Sequence, residues 1–184
     1  MSGAINVRTH PDFTVEQIIE YTGFLVPSPL YKENMRRALD FFQRKVPRNI
    51  LRQQDDTGPW SLRINGTKIK LLNWMQAINF SYLVDVQRWI GKGDPLIAYR
   101  APQERPGLTW GNWYTFPSTQ QESVAIHSSQ TGLHKFKAQV GFPCMLSTAS
   151  DAFVGWVRGM PAEYRHGGAN QLFIWNAQQV LEPI

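Results

Sequence analysis

The sequence predicts an α+β fold, with an N-terminal helical region and a small hairpin packed on a mostly antiparallel, β-rich C-terminal part. Three observations predict it. Leu30, Met35, Ala38, Leu39 and Phe42 recur at helical spacing. Asn65-Gly66, the favoured two-residue hairpin turn, separates the alternating Trp60, Leu62 and Ile64 from Ile69 and Leu71. After Asp94-Pro95 the texture changes to short apolar runs punctuated by turn residues. No repeat is visible, so residues 1–184 read as a single unit, mainly helical over 1–93 and β-rich over 94–184.

The elements follow in order. Thr14 with Gln17 three residues later, just before Ile18 and Ile19, is a capping-box start for a short helix that Gly23 ends. Ser28-Pro29 starts a second helix, with Ser as N-cap and Pro where its missing N–H costs nothing; Pro47 stops it. Gln53 to Pro59 is loop by composition, and the hairpin follows. Trp74, Ile78, Tyr82 and Val86 form an i, i+4 stripe free of Gly and Pro, which predicts a helix from about Asn73 to Ile90, stopped by Gly91-Lys-Gly93. Strands are expected at 96–100, 111–116, roughly 136–147 with breaks at Gly141 and Pro143, and 171–175, with a helix from Ser150 to Val157.

Composition narrows the function classes. With 42% hydrophobic residues, the chain has material for a core, which excludes wholesale disorder. No run of eighteen apolar residues occurs and the first residues lack a signal-peptide profile, so the expectation is a soluble chain without a general export signal or membrane partner. Cys144 is the single cysteine and the four histidines are scattered, so neither a disulfide framework nor a structural metal is expected. The net charge of +5 arises entirely within residues 1–100, which carry 14 basic and 9 acidic side chains; residues 101–184 carry 5 of each. A basic half suits a solvated face, nucleic acid or an acidic partner.

Three stretches carry chemistry-bearing residues at strand edges. Ile97-Ala-Tyr-Arg100 ends a strand in an aromatic followed by Arg; Met145-Leu-Ser-Thr-Ala-Ser150 precedes Ala152 and Phe153; and Gln171 opens a late apolar strand after Gly167-Gly168. In this order they resemble the three motifs of the ADP-ribosyltransferase superfamily, enzymes that cleave the nicotinamide–ribose bond of NAD. The resemblance covers roughly residues 94–184 and implies an ADP-ribosyltransferase-like core. It implies that Arg100 holds the NAD phosphates or ribose, since a planar guanidinium suits phosphate oxygens. Tyr99 would lie beside it. Ser147 would brace Gln171, Thr148 would shape the NAD pocket, and Gln171 would bind a ribose hydroxyl. Two positions depart from the family pattern. Ala149 stands where a third Ser is usual, and Gln171 stands where the family places the catalytic glutamate; glutamine keeps the hydrogen bond without the charge, and Glu163 and Asp151 are the available carboxylates, between which the sequence does not select.

Between the first two motifs, Gly111-Asn-Trp-Tyr-Thr115 resembles a strand of bacterial polymorphic-toxin domains. Trp113 or Tyr114 would stack on nicotinamide, a flat cation that aromatic faces attract. The resemblance implies NAD as substrate, no metal, a macromolecular ADP-ribose acceptor or water, and a cognate immunity protein. It also implies delivery by a specialised secretion system, or as part of a larger polypeptide, into a target-cell cytoplasm.

Two other classes stay open. Arg36, Arg37, Arg44, Lys45, Lys68 and Lys70, with Trp60 and Trp74 as stacking platforms and His127, His134 and His166 as acid and base, would fit a nucleic-acid-binding or RNA-cleaving domain. Alternatively the chain is a non-enzymatic interaction or structural module, in which the same motifs are packing and turn chemistry.

Overall fold

The computed structural model describes residues 29–47, 50, 62–64, 67–69, 74, 77–107, 110–126, 128–154 and 161–184. The short helix expected after Thr14, the turn residues Asn65 and Gly66, and His127 lie outside the described residues. The chain divides into two compact units, one of residues 1–76 with Phe80–Val84, the other of Ala77–Asn79 with Asp85–Ile184.

In the first unit, helix α1 (Pro29–Lys45) starts and stops where Ser28-Pro29 and Pro47 predict. Met35, Ala38, Leu39 and Phe42 are buried on one stripe, while Leu30 is exposed. Strands β1 (Leu62–Ile64) and β2 (Thr67–Ile69) pair antiparallel with Ile64 opposite Thr67, the register of a two-residue turn.

The helix expected over 73–90 does not form as such. Trp74 is helical, but the chain turns at Ala77 to Ser81, and Asp85–Ile90 is strand β3. The reason is a buried side chain of α1. Asn34 is fully buried, and its amide donates to the Phe80 carbonyl at 2.9 Å and the Tyr82 carbonyl at 2.8 Å. Its own carbonyl oxygen accepts from Val84 N–H at 3.3 Å. These backbone groups are thereby withdrawn from helical i to i+4 pairing.

The second unit is antiparallel sheet. Its strands are β3, β4 (Pro95–Arg100), β5 (Trp113–Tyr114), β6 (Gly132–Ala138), β7 (Phe142–Thr148), β8 (Ala152–Val154), β9 (Glu163–Arg165), β10 (Asn170–Phe173) and β11 (Leu181–Pro183), with a one-turn helix α2 (Ala177–Val180) before β11. One sheet has the order β3-β7-β10-β5, another β11-β6-β4, and β8 pairs β9. A pair of 2.9 Å backbone bonds between Ile97 and Thr115 joins the edges of the two larger sheets. Leu96, Tyr114, Phe136, Cys144 and Leu172 pack with their neighbours into the core. The helix expected at Ser150 is instead β8: Ala152, Phe153 and Val154 pair with Arg165, Tyr164 and Glu163, and the Ser150 hydroxyl donates to the Asp151 carbonyl rather than capping a helix.

Candidate active site

The most specific polar arrangement is built by strand register. β7 and β10 run antiparallel with Gln171 opposite Ser147. Leu146 and Leu172, one residue along on each strand, face the core, so alternation sends Ser147 and Gln171 together to the other face of the sheet. Both are buried, at 1% and 6% exposure. The Gln171 amide nitrogen donates to the Ala77 carbonyl at 2.6 Å and meets the Ser147 hydroxyl oxygen at 3.3 Å. This fixes the orientation of the amide, because flipping it would set oxygen against the Ala77 oxygen. Both amide hydrogens are engaged, and no donor among the described residues reaches the Gln171 carbonyl oxygen. The Ala77 carbonyl also accepts from Ser150 N–H at 3.0 Å, which brings the chain entering Asp151 beside the Gln171 amide.

Asp151 belongs to an exposed cluster at this end of the sheet. Its carboxylate accepts from Gly167 N–H at 2.7 Å and from the Tyr164 hydroxyl at 2.8 Å, with His166 Nδ1 3.8 Å away. The Gly167 N–H, then the Tyr164 hydroxyl, hold the Asp151 carboxyl below its ordinary pKa, and the same bond raises the Tyr164 phenol. Gly167 has no room for a side chain: a Cβ there would run into the Ala149 carbonyl oxygen and the Ser150 backbone. Glu163 is differently committed, accepting from the Ser128 backbone N–H and hydroxyl, with Arg165 3.8 Å away.

Arg100 is not brought to this pair. Its strand turns Leu96 and Ala98 into the core, and Arg100 follows the same alternation. The guanidinium stands 5.9 Å from the centre of the Tyr114 ring, beside Gly111, and donates to the Tyr99 carbonyl at 3.0 Å. Tyr114 lies opposite Leu172, on the core face, whereas Gln171 points away from it. Arg100, on the β11-β6-β4 sheet, thus stands beside the Tyr114 ring on the core side of the β3-β7-β10-β5 sheet, while the Ser147–Gln171 pair points to the other side of that sheet.

The expected aromatic platforms also separate. Trp113 lies on the Gln171 face, edge-on to Phe173 at 5.2 Å. Tyr114 is 2% exposed and edge-on to Phe136, so it offers no open ring for stacking. Its hydroxyl has no hydrogen-bond partner among the described residues, and burial pushes the phenol up to about 12, against the opposing pull of the Arg100 charge. The Tyr99 hydroxyl donates to the Thr119 carbonyl at 2.8 Å. Thr148 lies opposite Asn170, on the Leu172 side of the sheet.

The features that suggested nucleic acid fare differently. Trp74 is buried against Phe42 and is no platform. Arg37 and Arg44 pair with Glu33 and Asp40 along α1. His134 is buried with its ring nitrogen 3.0 Å from the Glu104 carbonyl oxygen. Among the described residues no cluster of His, Cys, Asp and Glu has metal-site geometry, and no helix is long and apolar enough to cross a membrane. The sequence reading missed Asn34 and the Ala77 carbonyl; no local pattern marks a backbone oxygen as a shared acceptor for two partners far along the chain.

No family model and no curated protein matches the chain. Among solved structures it is similar to Rhs1-CT in complex with its cognate immunity protein RhsI1, with TM-score 0.37 and 18% identity over 56% of this chain and 78% of that one. It is also similar to Tse6 in complex with Tsi6, with TM-score 0.56 and 21% identity over 85% of this chain and 98% of that one. The latter likeness shows a shared fold, spanning nearly the whole of the Tse6 chain.

Proposed function

We propose that this chain is a bacterial toxin domain that consumes NAD, breaking the nicotinamide–ribose bond and passing ADP-ribose to water or to a macromolecular acceptor. The observation that carries the reading is the Gln171 amide, locked by Ala77 and Ser147, with no donor to its carbonyl oxygen among the described residues. An acceptor held in that way suits a ribose hydroxyl, and a hydrogen bond there strengthens as positive charge develops on the sugar. The ADP-ribosyltransferase-like motifs and the fold shared with Tse6 support it.

In this reading the glycosidic electron pair leaves with nicotinamide, neutralising its ring, and the ribose carbon becomes cationic before the acceptor oxygen bonds to it. Glutamine supplies no charge, so a carboxylate has to. Asp151 fits better than Glu163. It follows directly on the Ser150 N–H that shares the Ala77 carbonyl with Gln171, and its hydrogen bonds keep it ionised. Ser147 is a positioning residue, and Trp113 supplies an aromatic ring on the same face of the sheet. Arg100 stands apart from the ribose-binding group. Tse6 was solved bound to a second protein, Tsi6, and we extend that to a cognate immunity partner here. The chain would act in a target-cell cytoplasm, after delivery by a specialised secretion system or within a larger polypeptide.

The test is to incubate purified protein with NAD, with and without cell lysate, and to follow nicotinamide by chromatography. Release of nicotinamide is expected. No release under either condition would overturn the reading.

A further inference from the structure

Two turns of the second unit adjoin, residues 91–94 between β3 and β4 and residues 139–141 between β6 and β7. Backbone bonds link them: the Gly93 N–H donates to the Ala138 carbonyl at 2.9 Å and the Ala138 N–H to the Asp94 carbonyl at 3.0 Å. Three apolar side chains stand in solvent here. Trp89 is 62% exposed, Val140 is 48% exposed, and Pro143, opposite Trp89 across β3 and β7, is exposed as well. The indole is seated on Gly141, where an added Cβ would stand 2.5 Å from Cζ2 of the ring, so its position is set before anything binds. The same turns are basic. Residues 91–95 and 135–143 carry Lys92, Lys135 and Lys137 against Asp94 alone. Asp94 is turned back onto the Gly91 N–H at 2.7 Å, and Lys137 pairs with Glu182 at 2.9 Å, which leaves Lys92 and Lys135 without an acidic partner among the described residues. Lys92, Lys137, Gln139 and Glu182 line an open cleft of about 560 Å³.

We infer that these turns dock on an anionic lipid surface, with Trp89 and Val140 in the interfacial layer and Lys92 and Lys135 against the headgroup phosphates. An indole suits the headgroup level, where its apolar body and its N–H both find partners. Lysine stems lie along apolar surface while their ammonium groups reach the phosphates, and the unpaired charge selects anionic over zwitterionic lipid. Nucleic acid would use the same charge, but Val140 and Pro143 give a base no ring to stack on. Docking of this kind is peripheral and needs no spanning segment. It does not depend on the proposed NAD chemistry, since none of these side chains belongs to the Ser147–Gln171 site.

The test is co-sedimentation of the whole chain with vesicles of phosphatidylcholine alone and of equimolar phosphatidylcholine and phosphatidylglycerol, with a uridine oligonucleotide titrated separately. Binding to the mixed vesicles, weakened by added salt and absent on phosphatidylcholine, is expected. Lys92→Gln is expected to weaken it about fivefold, the worth of one lysine at an anionic leaflet, and Trp89→Ala about tenfold or more through lost apolar contact. Val140→Ser, at an exposed turn, is expected to weaken binding in the same direction without touching the packing on Gly141. No binding to the mixed vesicles, equal binding to both kinds, or wild-type binding by all three variants would overturn the assignment. So would oligonucleotide binding that is lost in Trp89→Ala while the vesicles bind nothing, which would give the patch to nucleic acid.

Discussion

Replacing Gln171 by Glu exchanges an NH2 group for oxygen at almost constant size, so it isolates the donor that locks the site. In the native chain that nitrogen lies 2.6 Å from the Ala77 carbonyl oxygen and 3.3 Å from the Ser147 hydroxyl, on a residue 6% exposed. An ionised carboxylate there would press oxygen against oxygen in a poorly solvated place; a protonated one restores a single donor. The introduced carboxyl therefore has a folded-state pKa above its unfolded value of about 4.3. The native state then binds the proton more tightly than the unfolded chain, so stability is close to wild type below about pH 4 and falls as pH rises towards the raised pKa. A rise of about two units costs about 3 kcal/mol at neutral pH. For a chain of this length that lowers Tm by roughly 6–12 °C. Circular-dichroism melts of Gln171→Glu and wild type at pH 4, 5, 6 and 7 read this directly. A Tm difference that stays constant with pH, or a Gln171→Glu chain as stable as wild type at pH 7, would refute the reasoning.

Asp151, whose folded pKa is lowered, contributes stability that is present above its unfolded pKa and lost as pH falls through the folded one, so Asp151→Asn is expected to lower the denaturation midpoint at pH 7 and leave it unchanged near pH 2. The same substitution is expected to slow nicotinamide release without unfolding the protein, as native circular dichroism alongside the assay would verify. Gly167→Ala forces a methyl group into backbone and is expected to cost about 2–3 kcal/mol in urea unfolding. Cys144 is 1% exposed with its thiol pushed up to about 12 by burial, so a thiol-specific reagent is expected to react only after denaturation.

What was legible in the sequence was mostly local. Helix α1 begins at Pro29 and ends before Pro47 as the sequence pattern suggests, β1 and β2 pair in the register of a two-residue connection, and Pro95 to Arg100 read as a strand from its apolar run. The pairing of Ser147 with Gln171 was visible only through a family resemblance, since two residues 24 apart meet by strand register that nothing local encodes. The failures share one cause. The stripe from Trp74 to Val86 has helical period, yet Asn34 captures the Phe80 and Tyr82 carbonyls, and β7 captures the chain beyond Asp85. Ser150 looked like an N-cap, but β9 offers the following residues a partner strand. Arg100 takes its side of β4 from the alternation with Leu96 and Ala98, which a motif match carries no information about.

The measurement that bears most directly on the central claim is the steady-state rate of nicotinamide release by Gln171→Ala against wild type, each shown to be folded at the assay temperature. Loss of an acceptor that works in the transition state predicts a fall in kcat of about 10² or more. A Gln171→Ala protein that releases nicotinamide at the wild-type rate would contradict the account.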